Sequence, residues 1–243
     1  MLRNNNKSAF DNSDFVTEAV LDFLKSGCIE KVKIKPIVVN PLTVSIQKLG
    51  KRRLILDLRE VNKHVMKQTI KFEDWKIALQ YFDKDCYLYK YDLKSGYHHL
   101  DINDKFNTYL GFCWNEKYSV FSVLPFGLTS APYVFTKTLR PLVKYWRKHG
   151  IRMVLYLDDG WGTNFDLSSC SAYASFVLYT LNKAGFVVNK EKSIWTPCKS
   201  LLLLGLLWNS EDHSIKVPDE RVNDLIDSIN SVFSSLPFVS ARS

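Results

Sequence analysis

The stretch that decides the fold is MVLYLDDG, residues 153–160. Apolar side chains fill positions 153–157, and two aspartates and a glycine follow without a spacer. A fully apolar run of this length is typical of a buried strand, and an Asp-Gly pair between strand-like runs is a strong hairpin signal. The sequence therefore predicts a buried strand over 153–157 that turns at Asp158-Asp159-Gly160.

A second predicted strand, YLYKYD at residues 87–92, also ends in an acidic residue, Asp92. If the two strands are neighbours, their aspartates lie side by side. Two unit charges about 4 Å apart repel by roughly 4 kcal/mol at an effective dielectric constant near 20, so such a cluster requires a raised pKa or bound cations. Carboxylate oxygens select Mg²⁺ or Mn²⁺, and a pair of such ions is the usual device for phosphoryl transfer.

On spacing alone, simpler interpretations of these aspartates remain open. Asp158-Asp159-Gly160 is then only a hairpin turn, which on spacing is the favoured interpretation. The corresponding alternative for Asp92 is a cap for the turn at Ser95-Gly96.

The flanking segments alternate between helical and strand-like patterns, which we use to predict the element order. Helices are predicted over 14–26, capped by Ser13 and ended by Gly27; from Thr129-Ser130 towards Gly150, with a kink at Pro141; from Ser168 or Ser169 to Gly185; and over 219–232. Strands are predicted within 29–58, over 118–123, at VVNKEK (187–192) and at LLLLGLLW (201–208), and the last eight residues are predicted to lack structure. This order fits an α/β lobe with a split βαβ sheet.

The positive charge is confined to one segment. The 243 residues include 33 Lys plus Arg and 25 Asp plus Glu, a net charge of +8. Residues 31–67 contain ten of these cations and only two acids, and the rest of the chain is balanced. A local basic surface favours a polyanionic partner such as nucleic acid or nucleotide phosphates, although a merely solvated surface fits the charge equally well.

The remaining composition excludes several protein classes. A hydrophobic fraction of 46% with 10 Gly and 8 Pro excludes disordered and collagen-like chains. The five cysteines are scattered without metal-ligand spacing, and the N-terminus lacks the apolar core of a signal peptide. The longest apolar run, 201–208, is far below the roughly 18 residues of a membrane span. We therefore expect a soluble intracellular protein, in the cytoplasm or nucleus, with no membrane partner.

The joint pattern of motifs resembles the reverse transcriptase family. YLDD at 156–159 resembles the family's YxDD box, LPFGLTSAP at 124–132 its LPFGL-x-x-AP box, and DLKSGY at 92–97 its first carboxylate motif. RLILDLREVN at 53–62 is similar to the fingers motif, residues 185–192 to the lysine-bearing motif, and Leu204-Gly205 to the primer grip. These six motifs follow the family's order across roughly 28–212. Their amino-acid sequences look most like those of DIRS-type retrotransposons, with Ty3-like elements next.

The resemblance implies an α/β (α+β) fold with the fingers and palm of a right-hand polymerase, the palm being a ferredoxin-like split βαβ sheet with helices on one face. Residues 1–27 are then a helical lead-in and 28–212 the reverse transcriptase domain. Fingers are expected at about 28–84 and 106–130, and palm at about 85–105 and 131–212. Residues 213–243 are expected to begin a truncated thumb and tail.

The resemblance also implies roles for the acidic residues and one lysine. Asp92 and Asp158 are expected to hold two Mg²⁺ ions, or Mn²⁺, with Asp159 assisting from the same turn. Lys192 resembles the lysine proposed to protonate the leaving pyrophosphate, although Lys190 is a nearby candidate.

Further residues match the family's nucleotide and primer contacts. Arg53 matches the arginine that grips the nucleotide phosphates, with Arg52 on the opposite strand face as a competitor, and Lys48 resembles the lysine that reaches the γ-phosphate. Tyr97 matches the aromatic residue that excludes a 2′-hydroxyl. Phe126 and Gly127 are expected beside the nucleotide, and Leu204 and Gly205 at the primer grip.

The predicted function is that of a retrotransposon RNA-directed DNA polymerase, which adds dNTPs to a DNA or RNA primer on an RNA or DNA template by two-metal nucleotidyl transfer. The parent polyprotein is expected to supply a ribonuclease H and other domains. Two alternatives stay open: a truncated, inactive remnant that only binds nucleic acid or a partner, and an RNA-synthesising polymerase.

Overall fold

The computed structural model describes residues 4–47 and 50–234. Their helices and strands, in chain order, are α1 Lys7–Phe10, α2 Ser13–Lys25, β1 Ile29–Val32, β2 Leu42–Ile46, β3 Arg52–Leu56, α3 Arg59–Asn62, α4 Trp75–Leu79, β4 Tyr87–Asp92, a 3₁₀ helix Gly96–His99, α5 Asp104–Asn107, β5 Gly111–Trp114, β6 Lys117–Phe121, α6 Ala131–Lys148, β7 Arg152–Tyr156, β8 Asp159–Asn164, α7 Leu167–Lys183, β9 Ile194–Cys198, β10 Ser200–Leu203, β11 Leu206–Asn209, β12 Ser214–Lys216 and α8 Asp219–Ser234.

The chain divides into two compact units, and each unit contains several chain segments. The first comprises Met1–Lys71, Lys94–Pro141 and Gly185–Val187, and the second comprises Phe72–Leu93, Leu142–Ala184 and Val188–Ser243. The fingers and palm boundaries expected above stay a prediction. Residues 72–84 belong to the second unit and residues 94–105 to the first.

The first unit has two small antiparallel sheets over one apolar core. β1, β6 and β5 form a three-stranded sheet, and β2 pairs with β3 in a hairpin. The α1 segment follows the outer edge of β2, where Asn6 N donates to Leu42 O and Asn5 Oδ1 accepts from Leu42 N. The core includes Phe112 and Phe121, packed against α2.

The second unit contains a four-stranded sheet in the order β7-β8-β4-β9. Each neighbouring pair is antiparallel, so β4 and β7 run parallel with β8 between them, and β8 and β9 run parallel with β4 between them. The connections β4-α6-β7 and β8-α7-β9 are therefore two interlocked split βαβ units. The predicted ferredoxin-like palm is confirmed.

Side-chain alternation separates the two faces of this sheet. Tyr89 and Tyr91 point to one face, where Tyr91 packs on Trp146 of α6 and Trp146 Nε1 donates to Thr180 of α7. Leu88 and the strand positions in register with it point to the other face, where an apolar core joins the sheet to the β10-β11-β12 sheet. The two long helices thus lie on one face, as expected.

Several local predictions were wrong. Ser13 lies inside α2, which begins after Asn12, and α7 begins after Asp166, whose carboxylate accepts from Ser169 N. Residues 187–192 form no strand, because their backbone makes only an isolated bridge between Val188 and Leu93. The strands predicted within 201–208 are β10 and β11, which form a hairpin with Leu204-Gly205 as its turn. The expected unstructured tail, 236–243, lies outside the described residues.

Candidate active site

The β7–β8 hairpin carries the Asp158-Asp159 pair. Tyr156 pairs with Asp159, so the two-residue turn is Leu157-Asp158, and Asp159-Gly160 already belongs to β8. The expected turn at Asp158-Asp159-Gly160 was therefore placed too late in the chain. Leu157 has φ +54°, a conformation that favours glycine at the first position of such a turn. A residue in this region costs about 1–2 kcal/mol, and strain of this kind clusters at functional sites.

Strand register brings the aspartates of the second unit together. Asp92 is the cross-strand partner of Asp159, and Leu93 N donates to Asp158 O at 3.0 Å. Asp92 and Asp159 thus lie on the same face of neighbouring strands, with Asp158 next to them at the tip of the hairpin. The two predicted acid-terminated strands, β4 and β7, are not direct neighbours, because β8 lies between them. The aspartates meet because the hairpin turn places Asp159 at the start of β8, opposite Asp92.

The electrostatics of this cluster show the cost of placing the carboxylates together. Burial, followed by the charges of Asp158 and Asp92, raises the pKa of Asp159 to about 6. The Lys90 ammonium partly opposes that rise in the pKa. The ionised form of Asp159 is therefore disfavoured at this site, and a bound cation would stabilise it.

Lys192 supplies a cation at the edge of the cluster. Its Nζ lies 3.5 Å from Asp92 Oδ2, and the Asp92 side chain is only 13% exposed. The segment is fixed to β4 by the backbone, since Asn189 N donates to Asp92 O and Ser193 Oγ accepts from Asp92 N. Of the two candidate lysines, Lys192 is therefore the one placed against the carboxylates.

A cavity of about 740 Å³ opens beside these carboxylates, entirely within the second unit. Its walls include Asp92, Asp159 and Lys192, the aromatic rings of Trp75 and Tyr156, and the turn Leu204-Gly205. Leu204 and Gly205 both have positive φ, +49° and +76°, which is typical of a two-residue type I′ hairpin turn. The structure thus brings Asp92 and Asp159, the expected lysine and the expected primer-grip residues to one cavity, while Asp158 lies in the adjacent hairpin turn.

The residues of this cavity fit a divalent metal ion, because they supply some of its ligands and leave the others to water and substrate. In residues 4–47 and 50–234 no three His, Cys, Asp or Glu side chains form a ready-made metal site. Mg²⁺ usually keeps several waters and is held by one or two carboxylates plus substrate phosphates, so a full protein cage is not required. The paired Asp92 and Asp159 and the raised pKa of Asp159 are the observations that support the fit.

Two glycines hold the carboxylate hairpin close to β4, and the sequence analysis did not identify their role. A Cβ at Gly160 would overlap the Tyr91 ring, and a Cβ at Gly162 would overlap the Tyr89 ring. The two rings therefore lie flat across β8, and Trp195 stacks on both of them. The spacing Gly160-x-Gly162 opposite Tyr89-x-Tyr91 was the available signal.

The expected phosphate-binding arginines lie in the first unit, on the β2–β3 hairpin. The Arg52 guanidinium lies 4.8 Å from the centre of the Phe15 ring of α2. Arg53, on the opposite face and paired with Ser45, is exposed. Because the Arg52 guanidinium stacks on Phe15, Arg53 is the better candidate for binding the nucleotide phosphates. Lys48 lies outside the described residues.

Tyr97, Phe126 and Gly127 form a second cluster in the first unit. The Tyr97 and Phe126 ring centres are 4.8 Å apart, and Tyr97 also packs edge-on against Phe135 at 5.3 Å. Phe126 remains 47% exposed, and Gly127 has φ +95° with open space around its missing side chain apart from Leu56 O at 3.5 Å. The cluster thus presents one aromatic surface and one stretch of accessible backbone.

Asn62 holds this loop, a role that the sequence analysis did not assign. Its Nδ2 donates to Gly127 O and its Oδ1 accepts from Thr129 N, both at 2.8 Å. Asn62 closes the quoted motif 53–62, but its motif position gave no signal for a partner 65 residues later. The predicted structural pair nearby, Asp57 with Arg59, is confirmed at 2.6 Å, and this contact lowers the pKa of Asp57 to about 2.

Comparisons with known proteins identify the family to which the sequence is similar. Residues 40–207 match the sequence model of a family described as reverse transcriptase (RNA-dependent DNA polymerase). The chain is 27% identical over 188 residues to the retrovirus-related Pol polyprotein from transposon gypsy of Drosophila melanogaster, covering 74% of this chain and 18% of that protein. It is 30% identical over 148 residues to a putative enzymatic polyprotein of Cassava vein mosaic virus, covering 57% of this chain and 22% of that protein.

The fold is similar to solved structures as well. The structure of a foamy viral protease-reverse transcriptase in complex with dsDNA superposes with a TM-score of 0.78 at 23% identity, covering 99% of this chain and 51% of that one. The same viral protein in complex with an RNA/DNA hybrid gives a TM-score of 0.77. The chain thus spans about a fifth of these two polyproteins and 51% and 29% of the two solved chains. No helix in the described residues is long and apolar enough to span a membrane.

Proposed function

The chain belongs to the reverse transcriptase (RNA-dependent DNA polymerase) family, and from this premise we propose that it catalyses template-directed addition of dNTPs to a primer 3′-hydroxyl. The observation that carries the proposal is the cross-strand pairing of Asp92 with Asp159 beside Asp158. In a family member, carboxylates at this place suit metal-assisted nucleotidyl transfer.

In the second unit, Asp92 and Asp158 would hold two Mg²⁺ ions, with Asp159 assisting. Bound there, the ions would activate the primer hydroxyl and neutralise charge on the triphosphate. The chain's own contribution is to fix these carboxylates on two paired strands and to line the cavity beside them with Leu204 and Gly205, where the primer end would lie. Lys192, held next to Asp92, would carry the proton that the leaving pyrophosphate requires.

In the first unit, Arg53 would bind the triphosphate, since a guanidinium forms paired hydrogen bonds to phosphate oxygens. Tyr97 would pack beneath the sugar and exclude a 2′-hydroxyl, and the Phe126 contact supports that ring position. Gly127 would let the backbone approach the nucleotide closely. RNA template, DNA or RNA primer and dNTPs are the proposed partners, and the solved relatives in complex with dsDNA and an RNA/DNA hybrid support nucleic acid as a ligand.

Primer extension tests the proposal directly. The wild-type chain should extend a DNA primer on an RNA template in the presence of Mg²⁺, and Asp158→Ala should reduce incorporation at least about 100-fold, because one metal-binding carboxylate is lost. Asp101→Ala, a substitution outside the cluster, is the control. Wild-type inactivity, or full activity of Asp158→Ala, would sink the enzyme assignment and leave the nucleic-acid-binding remnant as the better description.

Sugar selection is tested separately. Offering ribonucleotides beside dNTPs should show a strong preference for dNTPs that Tyr97→Ala relaxes by about tenfold or more, whereas Tyr97→Phe keeps it because the ring remains. Equal use of both sugars by the wild type would favour the RNA-synthesising alternative.

A further inference from the structure

Lys90 occupies an unusual place for a cation, on the strand that ends in Asp92. The two residues are separated by one position in β4, so their side chains share a face, and both line the cavity of the second unit. The neighbours of Lys90 across the sheet are Trp161 and Ile194. Lys90 thus has apolar cross-strand neighbours and a charged end in the cavity.

The Lys90 ammonium makes a specific contact with another sheet. Its Nζ donates to Leu202 O at 2.8 Å. Leu202 lies in β10, the edge strand of the β10-β11-β12 sheet, two residues before the turn Leu204-Gly205. One side chain therefore ties the strand of Asp92 to the hairpin that presents this turn.

The turn itself is held by two further donors. Trp208 Nε1 donates to Leu203 O at 3.2 Å, and Arg221 NH1 of α8 donates to Gly205 O at 3.1 Å. These bonds fix the hairpin internally and to α8. Of the three donors, Lys90 is the one that belongs to the strand of Asp92, so it links the turn to the carboxylates.

We propose that Lys90 is a positioning residue that sets the distance between the turn Leu204-Gly205 and the carboxylates of Asp92 and Asp159. The inference rests on the proposed function, in which that distance places the primer 3′ end for attack. A misplacement of about 1 Å at a reacting centre can cost roughly 100-fold in rate, so a single tether is sufficient to matter.

The chain contains a matched control, Lys199. Its Nζ donates to Asp85 O, and its ammonium lies 4.2 Å from the centre of the Tyr87 ring. It is also a lysine bonded to a backbone carbonyl of the second unit, but it sits at the opposite end of β4 from Asp92. Lys90→Met and Lys199→Met each remove one such bond while keeping most of the apolar stem.

The first measurement is amide hydrogen exchange of residues 203–206 in the free 243-residue chain. Lys90→Met should speed exchange there by about tenfold, since the hairpin loses a charge-assisted hydrogen bond. Lys199→Met should leave exchange at these amides unchanged. Unchanged amide exchange in Lys90→Met, or equally faster exchange in both variants, would show that the bond from Lys90 to Leu202 O does not hold this turn.

The second measurement is primer extension under steady-state and single-turnover conditions, with a primer whose 3′ end is base-paired to the template. Lys90→Met should lower the rate of incorporation by about tenfold or more with less than about threefold change in primer-template Kd, and Lys90→Arg should recover part of the loss. A purely structural role would instead change stability without this split. Wild-type rate in Lys90→Met, despite faster exchange, would overturn the positioning role.

An inactive wild-type chain would overturn the proposed function and with it any role of Lys90 at the primer end. The hydrogen-exchange result would still decide whether Lys90 holds the turn Leu204-Gly205.

Discussion

Asp159 is held by strand pairing in a position that its charge disfavours. Its partner across the sheet is Asp92, its neighbour is Asp158, and burial adds to their repulsion. The pKa of its carboxyl rises to about 6 from an ordinary value of 3.8. An acid whose pKa is raised by folding binds its proton more tightly in the folded chain than in the unfolded chain.

The raised pKa predicts a pH dependence for the metal-free chain. Between pH 3.8 and about 6 the folded chain retains a proton that the unfolded chain releases, so the free energy of unfolding falls as pH rises through this window and levels off above it. Asp159→Asn should lack this contribution and be the more stable protein at pH 7 to 8 without divalent ions. Urea denaturation from about pH 4 to 8 in EDTA measures both curves. If the free energies of unfolding of the wild type and Asp159→Asn changed in parallel with pH, folding would not raise the pKa of Asp159.

Asn62 shows how one amide can organise a distant loop. Asn62→Ala removes both bonds to the Gly127–Thr129 backbone, and we expect the free energy of unfolding to fall by about 1 kcal/mol. Because Gly127 would approach the nucleotide, the KM for dNTP should rise more than kcat falls. Asn62→Asp, which keeps only the acceptor for Thr129 N, should be intermediate. Denaturation and steady-state kinetics test this, and an unchanged KM would separate Asn62 from nucleotide binding.

At the scale of elements, β7 is an edge strand, and two of its backbone groups, Leu155 N and Met153 O, form hydrogen bonds with side chains. Glu73 Oε2 accepts from Leu155 N at 3.0 Å and from Arg147 NH2 at 2.7 Å, and Arg147 in turn donates to Met153 O at 2.7 Å. Arg152 forms a second ion pair with Asp83 at the other end of the strand, at 2.5 Å. The hairpin that carries Asp158 and Asp159 is thus supported from the edge as well as from β4.

The two ion pairs allow a matched test of that edge. Glu73→Ala leaves Leu155 N and Arg147 without their shared acceptor and should lower the free energy of unfolding by about 1–3 kcal/mol. Asp83→Ala should be destabilising too, but only Glu73→Ala should also reduce kcat, since Leu155 lies three residues before Asp158. Thermal denaturation and primer extension separate the two effects. An equal loss of kcat in both variants would argue for general destabilisation.

Element predictions succeeded where the pattern was local and failed where pairing depended on distant strands. The runs 87–92 and 153–157 each gave a strand, because unbroken apolar or alternating side chains have few other ways to be buried. Residues 187–192 were wrongly predicted as a strand. β4 already pairs with β8 and β9, so this segment is left with one bridge and contacts to the Asp92 backbone.

At the scale of the whole molecule, the net charge of +8 is a property of the first unit. All the described cations between residues 31 and 67 are exposed and belong to that unit. Arg59 and Lys63 form ion pairs with Asp57 and Glu60, so within the described part of this segment the remaining positive charge lies on Lys31, Lys33, Lys35, Lys67 and the run Lys51 to Arg53. A surface of this kind attracts phosphates without reading sequence.

This charge distribution predicts salt-sensitive binding of primer-template. Raising monovalent salt from about 50 to 200 mM should weaken binding by at least about tenfold, because released counterions drive association. Replacing Lys31, Lys33 and Lys35 together by Gln should reduce the slope of log K against log salt, whereas Lys63→Gln, which removes a lysine paired with Glu60, should not. Fluorescence anisotropy measures both slopes. Salt-insensitive binding would show that the basic segment is only a solvated surface.

The sequence by itself determined the family, the split βαβ order and the identity of the acidic residues, because these depend on local patterns and on motif order along the chain. Only the tertiary structure decided the register that sets Asp92 against Asp159, the turn at Leu157-Asp158, and the contacts of Asn62, Glu73 and Lys90. The physical reason is that register and side-chain bonds join residues far apart in the chain. Their energies depend on which strands become neighbours, and no local pattern contains that information.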